Sequence, residues 1–158
     1  MTASLLFYGI LGIITTALAV YWNRHLWTAN AVGRTTPLEA AFYVFGVASL
    51  VLGWYFNVRY THAAGHHASY VNYTKDLFTN WASDSAAQDY IIANVVLLPL
   101  WTISDGRRRG IKAPWIFFVM SLFTSFAFSM AAYLAFVERQ VRLGRPVSAA
   151  LSGTPGRG

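Results

Sequence analysis

The chain has 158 residues, of which 56% are hydrophobic, 16% aromatic and only 11% charged, with a formal net charge of +6 and no cysteine. Soluble domains carry about 25% charged residues, and a chain this short has too little interior to hide so much apolar surface. An ordinary water-soluble domain is therefore excluded, as are disulfides, thiolate metal sites and thiol nucleophiles.

Residues 5–22 form an uncharged apolar run. Crossing a hydrocarbon core of about 30 Å takes about 20 helical residues. Ala17-Leu18-Ala19 is like a signal-peptidase site, but no basic residue precedes Leu5, so the run reads as a retained helix. The second run, residues 38–58, opens on Thr36-Pro37-Leu38-Glu39. This is a capping box with proline at the first helical position, and it makes Glu39 a capping group rather than a buried functional carboxylate.

Between residues 59 and 85, Tyr70, Tyr73, Leu77, Phe78 and Trp81 recur at helical spacing. They predict a short amphipathic helix on the membrane surface. The third run, residues 90–103, would span only about 21 Å. Ser85 followed by Gln88 predicts a helix start near Ala86, which carries Asp89 into the headgroup layer. Pro99 should kink or loosen this helix, and Asn94 should bond to a neighbouring one.

The fourth run covers residues 115–137, and the stretch from Arg142 is rich in Gly, Pro, Ser and Arg. The expectation is an all-α, polytopic membrane protein. Residues 1–141 form four transmembrane helices with the interfacial helix between the second and third, and residues 142–158 form a disordered basic tail. An even number of crossings places both ends on one side, with the dense turn from Arg107 to Lys112 facing the cytoplasm. Small residues recur on helix faces: Gly9, Gly12 and Thr16; Gly46, Ser49 and Gly53; Ser121, Ser125, Ser129 and Ala132. They suit close helix packing, within the bundle or against another membrane protein.

Chemistry-bearing residues gather at the helix ends. His62 and His66 are spaced as two ligands on one helix face, and His67, Asp84 or Asp89 would complete a metal site; solvated histidines are the plainer reading. Asp89, at the membrane edge, is a general acid, the partner of Arg59 or Arg139, or a plain surface residue, with Glu138 at the same level. Arg107, Arg108, Arg109 and Lys112 suit lipid headgroups, or serve only as a topology signal. Trp54, Tyr55 and Trp101 belong to the interfacial aromatics, or line an apolar ligand cavity. No cofactor and no nucleic acid is expected, since the cations flank apolar runs and no phosphate-binding loop follows a strand.

Leu77-Phe78-Thr79-Asn80 through Asp89, then Asp105-Gly106-Arg107-Arg108-Arg109-Gly110-Ile111-Lys112, Trp115, and Tyr133-Leu134 to Glu138-Arg139 resemble the bacterial membrane proteins grouped as domain of unknown function 2834. Asp89, Asp105, Arg108, Trp115 and Arg139 stand at that family's matching positions. A Pro-Leu-Phe-Leu-like segment of the family is replaced by Ala131-Ala132-Tyr133-Leu134. The resemblance implies a membrane bundle and draws attention to Asp89 with Arg139, but implies no activity.

The functional expectation is an accessory or lipid-contacting subunit of a larger membrane assembly, in the bacterial cytoplasmic membrane. Its partners would be lipids and other membrane subunits, or further copies of itself. The alternative is a membrane-embedded enzyme on an isoprenoid or lipid substrate, such as a terpene cyclase or isomerase, with Asp89 as the acid.

Overall fold

The computed structural model describes residues 3–28 and 34–152, with side chains over 5–28 and 34–144. These residues form α1 (Ala3–Trp22), the one-turn α2 (His25–Thr28), α3 (Pro37–Ala64), a 3-10 turn (Gly65–His67), α4 (Tyr70–Asp76) and α5 (Trp81–Ile91). A wide π-helical segment (Ile92–Leu97) joins α5 to α6 (Leu98–Arg109), and α7 (Ile116–Phe123) and α8 (Phe126–Ser152) follow. Among the described residues there is no strand.

Three stretches are long and apolar enough to cross a membrane: Leu5–Trp22, Pro37–His67 and Trp81–Arg109. Their outer faces carry large uncovered apolar side chains, such as Ile13, Val44, Phe45 and Phe56. Such continuous exposure is incompatible with water and natural among acyl chains.

The third stretch starts earlier than the Ser85 signal predicts. The Asn80 carboxamide oxygen accepts from the Ala82 and Ser83 N–H groups, both at 3.1 Å, and so caps α5 five residues upstream. That added turn supplies the length which the apolar run lacks. It also divides the expected surface helix: α4 ends at Asp76, and Trp81 opens α5. Pro99 lies just beyond the π-helical segment, where the Leu98 N–H bonds to the Ala93 carbonyl five residues back. The wide turn accommodates a ring that would clash in a regular ladder.

The fourth apolar run is not one helix. It breaks at Thr124-Ser125, and α7 and α8 form an antiparallel hairpin. Phe117 near the start of α7 meets Tyr133 and Phe136 on α8, with ring centroids 5.2 Å apart in both pairs. The Ser129 hydroxyl donates to the Phe117 carbonyl. A Cβ built on Gly12 of α1 would lie 2.9 Å from Thr124, and Ser49 of α3 is 3.3 Å from Ser125. Gly12 and Ser49 lie about 15–18 Å along their helices from the Trp22 and Pro37 ends, so the hairpin tip stops near mid-depth. The core of the molecule is the base of this hairpin: Leu26, Ile116, Phe117, Met120, Tyr133 and Phe136.

The hairpin returns α8 to the end where it began. That end holds the last turn of α1, the first turn of α3 and the last turn of α6; we call it the basic end. Arg142, expected to open a tail, sits in α8 and is 8% exposed. Residues 153–158 of that expected tail lie outside the described residues.

Gly106 illustrates the tightness of the base. A Cβ there would lie 2.6 Å from the Pro114 Cβ, whereas one on Gly53 would meet nothing within 4 Å. Gly106→Ala should cost about 1–3 kcal/mol by overpacking, read as a lower thermal-unfolding midpoint in detergent. Gly53→Ala should leave that midpoint unchanged or raise it.

Candidate functional site

The basic end is organised around Glu39, which is fully buried. Its backbone N–H donates to Thr36 Oγ1 at 3.2 Å, so the residue belongs to the cap as expected. Its carboxylate is engaged elsewhere. Arg139 Nε donates to Oε1, Arg142 Nη2 donates to Oε2, and the Tyr43 hydroxyl donates to Oε1 at 3.0 Å. The two arginines also reach the chain between α1 and α3. Arg139 Nη1 donates to the Leu26 carbonyl at 3.1 Å and Arg142 Nη1 to the Arg34 carbonyl at 2.6 Å. The Arg139 guanidinium lies over the Trp27 ring at 5.2 Å, and Glu138 stands 3.7 Å from Arg142. A carboxylate removed from water is tolerable only with such full compensation.

Beside this network, Asn23 is completely buried and clamps the turn between α6 and α7. It donates to the Lys112 carbonyl at 3.0 Å and accepts from the Lys112 N–H at 2.8 Å. Arg107, Arg108 and Arg109 occupy the last turn of α6, where cations suit the helix dipole, and Gly110 ends the helix in the left-handed region at φ 77°. All three arginines and Lys112 are exposed. Arg109 pairs with Asp105 at 2.8 Å, and Asp105 also accepts from the Tyr133 hydroxyl at 2.7 Å, tying α6 to α8.

The opposite end differs. Because the hairpin stops halfway, the three long stretches and α4 border a half-open cavity of about 370 Å³ above its tip. Tyr8, Tyr60, Tyr70, Tyr73 and Tyr90 line it, with Asn94 and the tip residues Ser121–Ser125 as its floor. The expected bond from Asn94 is made to α7: the Ser121 hydroxyl donates to Asn94 Oδ1 at 2.6 Å. A second cavity, of about 320 Å³, is an apolar groove between α1 and α3 over Met120 and Phe128.

The other residues singled out in the sequence stand apart from one another. Asp89 is exposed and accepts from its neighbour Gln88 at 2.6 Å. It lies at the far end from Arg139, because the hairpin carries Arg139 back to Glu39; the expected pairing of Asp89 with Arg139 is thereby replaced. Arg59 donates to the Tyr55 hydroxyl at 3.2 Å on its own helix. Trp54 packs where Gly9 leaves room, Tyr55 and Trp101 are more than half exposed, and neither described cavity is lined by any of the three. His62 lies in the last turn of α3, while His66 and His67 lie in the 3-10 turn beyond Gly65, whose φ of 54° breaks the helical spacing. Among the described residues, no three His, Asp or Glu side chains converge as a metal site.

Sequence reasoning placed Glu39 in the cap but missed its role as the hub of a charge network. The available signal was Arg139 and Arg142, one helical turn apart at the close of an apolar run, with Glu39 as the one acid in the second run. The tyrosine cavity had no local signal, since its walls come from four separated segments.

The family model described as protein of unknown function DUF2834 matches residues 41–139, from the second turn of α3 to Arg139. No curated protein and no solved structure matches the chain.

Proposed function

We infer that this chain, which belongs to the DUF2834 family of proteins of unknown function, is a lipid-contacting component of a membrane, with its basic end gripping anionic headgroups on the cytoplasmic side. The reading has three crossings and one re-entrant hairpin. The observation that carries it is the charge asymmetry this arrangement creates. Arg24, Arg34, Arg107, Arg108, Arg109 and Lys112 share one end with Arg139 and Arg142. Against these eight cations the basic end has three acids, Glu39, Asp105 and Glu138, whereas the other end has Arg59 and Lys75 against Asp76, Asp84 and Asp89. Basic residues close to helix ends favour the cytoplasmic side, and each cation near an anionic surface contributes about 1 kcal/mol. A chain with so much uncovered apolar surface also suits an accessory role beside other membrane proteins.

The test is lipid retention. Protein extracted in mild detergent from mixed bilayers should carry phosphatidylglycerol in preference to phosphatidylcholine by native mass spectrometry. Changing Arg107, Arg108 and Arg109 together to glutamine should weaken that preference by up to about 100-fold, given roughly 1 kcal/mol per charge. Equal retention of both lipids by the unaltered protein, with no associated protein, would overturn the reading. The enzyme alternative has less support, because Asp89 is exposed and borders neither described cavity.

A further inference from the structure

We propose that the cavity above the hairpin tip is a binding site for an uncharged lipid with a planar, oxygen-bearing ring head, of the quinone or quinol class. The cavity's volume, about 370 Å³, falls in the range of small-molecule sites. Among the described residues no Lys, Arg, His, Asp or Glu lines it, and the nearby carboxylate of Asp76 accepts from the Tyr60 hydroxyl at 2.8 Å. A phosphate or carboxylate headgroup would find no cationic partner there, which is costly. A plain hydrocarbon would leave the polar lining unused.

What the lining offers is aromatic faces and neutral hydrogen-bonding groups. Tyr8 and Tyr70 approach at 5.9 Å with their planes tilted 43°, and Tyr60 and Tyr73 at 5.2 Å, edge to face. Planar rings pack favourably against such surfaces. Tyr90 and Asn94 are 3.3 Å apart and, with Ser121, form a chain of neutral donors and acceptors suited to a carbonyl or hydroxyl. Leu5, Ile91, Val95 and Leu122 add the apolar wall that a tail needs.

A second observation comes from the backbone. The helical ladder is interrupted at Thr124-Ser125, near mid-depth, and both residues line the cavity. Irregular backbone at membrane depth persists only where it is enclosed in protein or faces a polar cavity. Discontinuous helices meeting near mid-depth are a recurrent way of building a ligand site in membrane bundles.

Gly53 makes the test clean. It lines the cavity, and a Cβ built on it meets nothing within 4 Å. Gly53→Leu should therefore fill the site while the helix keeps its packing. The full chain, in discs of phosphatidylcholine, is titrated with a decyl-tailed benzoquinone and binding is measured by equilibrium partition against empty discs. The unaltered protein should bind saturably. Gly53→Leu should weaken binding at least about tenfold, as filling a formed site does, with an unchanged thermal-unfolding profile. Tyr90→Phe, which removes one hydroxyl, should weaken it by up to about tenfold and serves as the second variant if Gly53→Leu does not fold. Decane and dodecylphosphocholine should compete poorly. Partition no greater than into empty discs, equal binding by both folded variants and the unaltered protein, or equal competition by decane or dodecylphosphocholine would overturn the proposal.

Discussion

Glu39→Leu should leave the chain unable to hold its fold in mild detergent, seen as loss of a monodisperse peak and of cooperative thermal unfolding. Removing one member of a buried charge network typically costs 3–5 kcal/mol, roughly, because the remaining charges are left without compensation. Here the carboxylate joins two guanidinium groups and a phenol, so its loss sets Arg139 and Arg142 against each other in a buried site, with the partly exposed Glu138 beside Arg142 as partial compensation. Those arginines also hold the carbonyls of Leu26 and Arg34, so the connection between α1 and α3 should loosen too. Total stabilities of about 5–15 kcal/mol leave little to absorb such a loss. Changing Glu39, Arg139 and Arg142 together to leucine or methionine should recover much of it, since a whole buried network can be exchanged for apolar packing at small cost. A stable Glu39→Leu single variant would mean that the network contributes little.

The second expectation is an all-or-none labelling pattern. The chain has no cysteine, so single cysteines report sidedness without background. Arg108→Cys and Gly144→Cys should react with an impermeant maleimide from the same side of sealed vesicles, and His66→Cys only from the other. Gly144 is exposed, and a Cβ there meets nothing within 4 Å. A straight fourth crossing would put position 144 on the side of position 66. That outcome would remove the charge asymmetry on which the lipid reading rests.

Much of the architecture is written locally. Three apolar runs appear where the long helices form, and Thr36-Pro37 marks the start of α3 because a hydroxyl cap and a fixed φ act within one turn. Asn94 was recognisable as an interhelical partner because a carboxamide amid apolar residues needs one. Non-local features were hidden. The hairpin was masked because residues 115–137 are apolar throughout, and hydropathy does not distinguish one crossing from two half-depth helices. The break depends on packing: Ser125 Oγ accepts from the Phe128 N–H at 3.0 Å to restart the helix, while Gly12 and Ser49 leave room for the tip. The charge balance depended on that choice. With a straight helix Arg139 and Arg142 join Arg59, and with a hairpin they join Arg108. The Asn80 cap is masked in the sequence because Ser85 and Gln88 present a capping-box pattern nearer the apolar run.

The widened turn at Ile92–Leu97 also sets rotational phase. One residue more or less in a helix swings everything beyond it by about 100° around the axis. With the present count, Asn94 faces Ser121 while, farther down, Gly106 presents its bare Cα to Pro114 and Asp105 reaches Tyr133. Straightening the segment by removing one residue would keep the upper alignment and turn the lower one away. The two halves of this long rod are thus clocked separately, each to the neighbours at its own depth.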